Sequence, residues 1–350
     1  MKEIRIIPEW KKEELYKHLI ILSKKIKSAK KIVVFPSNDI SLVTYIQIKT
    51  RLPGNFVDRT PQRDMIELCV NKDKFYALLS QKQISHPASY PAEFVEKNIP
   101  QFEKYLSFPF ILKPTQNHPF VDLFSKKVLE IKNQQEMRSA FRLMSKHRIK
   151  FVAQEIIPGN QFYLVYFYIS RDQKTTAFTG FRKVRQSPPD YGTGSLVEAF
   201  WDEALISKAR ELLNEIQYTG IGEVEYKYHP GQEEHKILEI NARSVTFNRL
   251  PARLGVDMEY LYYLDAIGAL EKRGEIRPRN SSIKWMDFTK DLNSLFRLKK
   301  ENKISVPQIL ASFKNLRVDG YFAGDDPAPF FEELYLLLRA IVLRLFRRNH

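Results

Sequence analysis

GEVEYKYHPGQEEHKILEINAR, residues 222–243, is the stretch on which the fold turns. Two β-forming runs, GIGEVEYKY and HKILEIN, flank the polar turn HPGQEE, the pattern of an antiparallel hairpin. Alternation by two puts Glu239 and Asn241 on one face of the second strand, and Glu225 of the first strand can lie across from them. Two carboxylates and an amide oxygen then converge. They are hard ligands suited to Mg²⁺ (or Mn²⁺), whose other positions are filled by water or nucleotide phosphate.

Outward from the hairpin, the segment PFILKPTQ opens a β-rich region that includes KVLEI, FVAQEIIPG, FYLVYFYIS and TTAFTGFRKV. Helical periodicity appears near 201–216 and again near 257–268. Towards the amino terminus, residues 3–7 read as a strand and 9–30 as a Lys-rich helix. A strand at 32–35 then leads into a helix near 40–52, the βα pattern of a small parallel sheet. Pro53, Gly54 and Pro61 break that lobe, and helices are expected over 71–84 and 93–106. From residue 281 a Trp285-containing strand, helical pieces, the punctuation DDPAP and a Leu- and Arg-rich last helix follow. The expected division is a short α/β lobe over 1–70, a two-lobed α+β domain over 71–280 and a mostly helical extension over 281–350.

Composition sets the class. A chain of 350 residues with 43% hydrophobic content has a sizeable core, while 13 glycines leave little for a glycine-rich phosphate loop. The single cysteine, Cys69 in IELCV, reads as a small buried hydrophobe in a reducing, cytosolic setting. The opening MKEIRIIPEWKKEEL has no signal-peptide core, and no uncharged stretch reaches membrane-spanning length. A net charge of +15 favours anionic partners. No zinc spacing, recognition helix or RNP-like run appears, which argues against nucleic acid as that partner. The chain also has no Gly-x-Ser-x-Gly elbow, so nothing points to nucleophilic covalent catalysis.

The hairpin with its LEINAR run resembles the ATP-grasp superfamily over roughly residues 70–270, in particular ligases similar to the carbamoyl phosphate synthetase large chain and D-aspartate ligase. Glu225 and Glu239 stand fourteen residues apart, the interval seen in such enzymes. The resemblance implies an ATP-grasp fold, with Glu225, Glu239 and Asn241 as metal ligands and Arg243 on the γ-phosphate or acyl phosphate. It places Lys113, in FPFILKP, on the α- and β-phosphates and Lys74, in NKDKF, as a second basic contact to ATP. FVAQEIIPG is similar to the hinge, so that Gln154, Glu155, Ile156 and Ile157 would bind the adenine edge. Arg182, Lys183 and Arg185, in GFRKVRQSPPDYGTG, would face the phosphates and the acceptor. The implied reaction is ADP-forming ligation of a small-molecule carboxylate to an amine through an acyl phosphate, on an amino acid or an amino-sugar conjugate of the cell envelope. Two departures stand out: PTQNHPF replaces the family's glycine-rich loop, and the amino-terminal lobe is short.

Other readings compete at particular residues. His118 in the departing loop reads as a surface histidine. The last helix either packs on its own body or, with Arg339, Arg344, Arg347 and Arg348, lies on anionic membrane through residues 329–348 at the inner face. A nucleotide-binding protein that has lost turnover, tied to membrane or a partner, is the rival function, and a homo-oligomer stays open.

Overall fold

The computed structural model describes residues 11–26, 30–115, 120, 124, 126 and 128–348, with the backbone alone for 340–348. The expected strand at 3–7, most of the 114–120 loop and His118 lie outside the described residues. In chain order the elements are α1 Lys12–Lys25, β1 Ile32–Val33, α2 Asp39–Ile48, β2 Phe56–Val57, α3 Arg63–Val70, α4 Lys72–Gln81, β3 Ser89–Pro91 and α5 Ala92–Asn98. Next come β4 Phe110–Pro114, β5 Leu129–Ile131, α6 Gln134–Lys146, β6 Phe151–Glu155, β7 Phe162–Ile169, β8 Thr175–Ser187, β9 Thr193–Ala199 and α7 Glu203–Glu215. The rest are β10 Gly220–His229, β11 Glu234–Asn241, α8 Arg249–Arg253, α9 Met258–Ile267, β12 Gly274–Ile276, β13 Lys284–Met286, α10 Phe288–Lys300, α11 Val306–Ser312, β14 Leu316–Asp319 and α12 Ala328–Arg348.

Two compact units result: the tail from 278 falls in the second, close to the expected boundary at 280, whereas no division falls at 70. The first comprises 1–178, 203–245 and 258–277; the second comprises 179–202, 246–257 and 278–350. The reason at the amino-terminal side is a shared core. Leu15, Leu42, Tyr45 and Ile66 of the expected separate lobe pack in one apolar cluster with Val165, Phe167, Leu212, Val224 and Ile240.

Within the first unit, β1 and β2 pair in parallel, as the βα reading expects. A four-stranded antiparallel sheet in the order β3-β6-β4-β5 is covered by α6, whose Met137, Ala140, Phe141 and Met144 recur at helical spacing and are buried. A second sheet places β10 between β7 and β11. Its back is lined by Leu205, Ile206, Ala209, Leu212 and Leu213 of α7, the buried stripe of an amphipathic helix. Gly222 on β10 is needed for close packing: a Cβ there would come within 2.7 Å of Phe167 Cζ and 3.0 Å of the Asn241 carbonyl oxygen.

Strand β8 continues from the first unit into the second, where its later residues pair antiparallel with β9. There β9 pairs antiparallel with β13 and β13 pairs in parallel with β14. Phe247 meets Phe181 edge-on and Trp285 at a tilt, linking β8 to β13 through a chain of aromatic contacts.

Candidate active site

Strands β10 and β11 are in register with Glu225 opposite Glu239 and Glu223 opposite Asn241. The sequence reading thus finds its predicted trio on one face, and alternation adds Glu223 as a fourth member. A bulge follows directly after Glu225, where Tyr226 pairs with Ile237 and Leu238 is the extra residue. Tyr76 of α4 clasps that bulge by donating to the Leu238 carbonyl at 2.7 Å.

Asn241 is the centre of the polar network. Its amide nitrogen donates to Glu223 at 3.1 Å and Glu239 at 3.4 Å, while its oxygen accepts from Arg243 Nη2 at 3.2 Å. Metal ligation by Asn241 therefore needs the amide turned by half a rotation, which exchanges a donor for an acceptor between the carboxylates. Arg243 is fixed on its other edge by Asp39, with Nε 2.6 Å from Oδ1. Asp39 is held there by the start of α2, which Asn38 and Ser41 close with a reciprocal capping box. Burial works against the Arg243 charge, but Asp39, Glu223 and Glu239 together overcome it and raise the guanidinium above its ordinary range.

The basic partner faces this acidic pair. Lys113, on β4 opposite Val152 of β6, is half-buried, and loss of solvation pushes its ammonium down to about 8. Glu239 and Glu225 pull it back up, and the charges of Lys72 and Lys227 push it further down. Lys72, two residues before the expected Lys74, is thus the α4 lysine felt at this site. The expected Lys74 has its Nζ 3.7 Å from Glu67 and a side chain that is 59% exposed. Two helical steps separate the two side chains by about 200°, so they leave α4 on nearly opposite sides.

Among the hinge residues, Gln154 is fully buried, pairs with Ser89 across β3 and donates to its hydroxyl at 2.9 Å. Glu155 accepts from Ala88 N–H at 3.0 Å and from Lys236 Nζ at 3.0 Å, with His229 Nε2 at 3.4 Å. Burial opposes its charge, yet these donors hold its carboxyl below the usual range. The Glu155 side chain is thus taken up by bonds within the chain, and its N–H donates to the Ala88 carbonyl at 2.9 Å. The Ile157 carbonyl accepts from Lys227 Nζ at 2.6 Å, and Ile156 beside it is half-buried.

Arg182, Lys183 and Arg185 belong to the second unit. Arg182 is bound to Glu198 across the β8–β9 ladder at 2.7 Å, and Lys183 is half-buried opposite Val197. Arg185 does not fit the expected phosphate role. Its side chain is 4% exposed, forked onto Asp291, itself 1% exposed, and bonded also to Ser312. A guanidinium so enclosed has no edge left for a substrate.

No three His, Cys, Asp or Glu among the described residues form a closed metal cage. The donor set nonetheless fits Mg²⁺, which is commonly held by one or two carboxylates and completed by water and substrate phosphates. Glu225, Glu239 and Asn241 would hold it.

Over most of its length the chain is similar in fold to solved structures. Biotin carboxylase from Campylobacter jejuni, solved as its β,γ-ATP complex, superposes with a TM-score of 0.60 at 14% identity, over 75% of this chain and 60% of that one. N5-carboxyaminoimidazole synthetase from Staphylococcus aureus gives 0.59 at 15% identity, over 85% and 74%. The fold is ATP-grasp. In sequence, D-aspartate ligase of Enterococcus faecium (strain Aus0004) is 21% identical over 254 residues, which is 69% of this chain. The chain spans 60% of the length of that relative. No family model matches the chain.

Proposed function

We propose that this ATP-grasp chain is an ADP-forming carboxylate–amine ligase acting through an acyl phosphate. One observation carries the reading: Glu225 and Glu239 are paired in register beside Asn241 and Arg243, within the field of Lys113. A bound Mg²⁺ would neutralise charge on the transferring phosphoryl group. Lys113 holds the nucleotide phosphates, and contact with them restores the charge that burial discourages. Arg243, pinned between Asp39 and Asn241, offers a preorganised cation where charge develops. A carboxylate oxygen attacks the γ-phosphorus and ADP leaves; the amine nitrogen then attacks the acyl carbon, phosphate departs and the amine gives up a proton. The likeness to a D-aspartate ligase supports an amino acid as one substrate. Arg182 and Lys183 remain candidates for contacting the acceptor.

The test is ADP release from purified protein offered Mg–ATP with pools of amino acids, amines and carboxylates. Turnover in the wild type and none above background in Glu239→Ala supports the ligase; equal release in both defeats it.

The last helix favours a second property, contact with an anionic membrane. Phe331, Tyr335 and Leu338 of α12, spaced i, i+4, i+7, are 61%, 58% and 54% exposed, and Arg339 follows them. No helix of the described residues is long and apolar enough to cross a membrane. Sedimentation with phosphatidylglycerol vesicles, lost on Phe331→Ser with Leu338→Ser and absent with phosphatidylcholine vesicles, is the expected result. Equal sedimentation of both proteins removes the proposal.

A further inference from the structure

The reverse side of the β10–β11 hairpin carries a second cleft. It lies between α7, the turn at Ile84 and Ser85, and the hairpin, and has a volume of about 250 Å³. That is smaller than sites for drug-sized ligands, which run from roughly 300 Å³ upward, so the cleft suits a metabolite of a few heavy atoms. Tyr226 lines it. This residue is 1% exposed, and its hydroxyl is buried without a hydrogen-bond partner among the described residues. A buried hydroxyl left in this way is costly and calls for an explanation.

The charges around the cleft supply one. Lys208 and Glu211 of α7 both line it, exposed and three positions apart on the helix, so that a cation and an anion border the same cleft. Neither forms an ion pair among the described residues. Glu215, one turn further along, is by contrast occupied by Lys82 at 2.7 Å. A cation, an anion and a buried donor over an apolar floor of Leu212 and Ile237 together match one ligand chemistry.

We propose that this cleft binds a small zwitterion of the α-amino acid class. The ligand carboxylate accepts from the Tyr226 hydroxyl and Lys208, and its ammonium faces Glu211. The site is distinct from the one holding Mg–ATP, because Tyr226 and Leu212 belong to the core behind the hairpin whereas Glu225 and Glu239 face Lys113. The two are joined by one peptide bond: Tyr226 follows Glu225 at the bulge. Occupancy therefore couples to nucleotide affinity, and the coupling is reciprocal. That coupling rests on the nucleotide reading above, whereas binding of the zwitterion does not.

Calorimetric titration with glycine, L-alanine, L-aspartate and D-aspartate tests this directly, in the absence and presence of Mg²⁺ with a non-hydrolysable ATP analogue. Saturable binding of at least one is expected. Tyr226→Phe should weaken it about three- to tenfold, as loss of one buried hydrogen bond does. The surface changes Glu211→Gln and Lys208→Gln, which keep the fold, should weaken it about tenfold or more. In the absence of nucleotide, Glu239→Ala should leave it unchanged. Absence of binding by all four amino acids overturns the proposal, as does binding that ignores Glu211→Gln and Tyr226→Phe or disappears in Glu239→Ala. If binding persists but does not alter affinity for the nucleotide analogue, the regulatory part is overturned while the site stands.

Discussion

Replacing Arg185 by methionine should cost stability and not primarily catalysis. The guanidinium and Asp291 are both almost entirely enclosed, with Nη2 2.7 Å from Oδ2, and Ser195 donates to the same carboxylate at 2.9 Å. Removing one member of such a pair leaves a buried charge without its counterion, which typically costs about 3–5 kcal/mol. With a urea m-value of about 3 kcal/mol per M, a loss of about 4 kcal/mol lowers the unfolding midpoint by about 1.3 M. Trp201 and Trp285 both belong to the unit that holds the pair, so tryptophan fluorescence reports its unfolding. Combining Arg185→Met with Asp291→Leu removes both charges and should recover most of the loss. A midpoint unmoved by Arg185→Met, with turnover abolished, would refute this reasoning and return Arg185 to the phosphates.

Four further outcomes rest on the same geometry. Gly222→Ala drives a methyl group against Phe167 and the Asn241 carbonyl, and should destabilise by about 1–3 kcal/mol while weakening nucleotide binding, checked by urea unfolding and calorimetry. Lys113 sits below the ordinary lysine value at about 8, so between pH 8 and about 10.5 the unfolded chain holds more protons here than the folded one, and this residue's contribution to stability rises with pH across that window. Binding of the triphosphate should then draw a proton onto Lys113 at pH 8.5, seen as buffer-dependent heats that vanish in Lys113→Met. Lys72→Met should weaken nucleotide binding more than Lys74→Met, because only the first is felt at Lys113 while the second is an exposed partner of Glu67.

The hairpin was legible in the sequence because its signals are local. Alternation and a polar turn fix which side chains share a face, and the observed register sets Glu225 opposite Glu239. The same rule makes Glu223 visible in GEVE. Asp39 was not legible, since it meets Arg243 across 204 residues and only the shared core brings α2 to the end of β11. The distinction between Lys72 and Lys74 depends on how α4 is rotated against the hairpin, which Tyr76 sets from a position buried beside Leu238. Arg185 misled because alternation along β8 says which residues turn inward but not whether a carboxylate such as Asp291 waits there. The helix α6 went unread beside its β-rich neighbours, although Met137, Ala140, Phe141 and Met144 carry helical spacing. The division into units escaped the sequence for a related reason: residues 179–202 and 246–257 are drawn to the tail by strand pairing and by Trp285.

Nucleotide-dependent binding of Mn²⁺, followed by electron paramagnetic resonance with a non-hydrolysable ATP analogue, tests the account most directly. Wild-type protein should hold the ion only when the nucleotide is present, and Glu239→Ala should weaken it by more than about 100-fold, since even the outer-shell partners of metal ligands are worth 10–100-fold. Undiminished, nucleotide-dependent binding in Glu239→Ala would contradict the assignment of the β10–β11 hairpin as the seat of the metal.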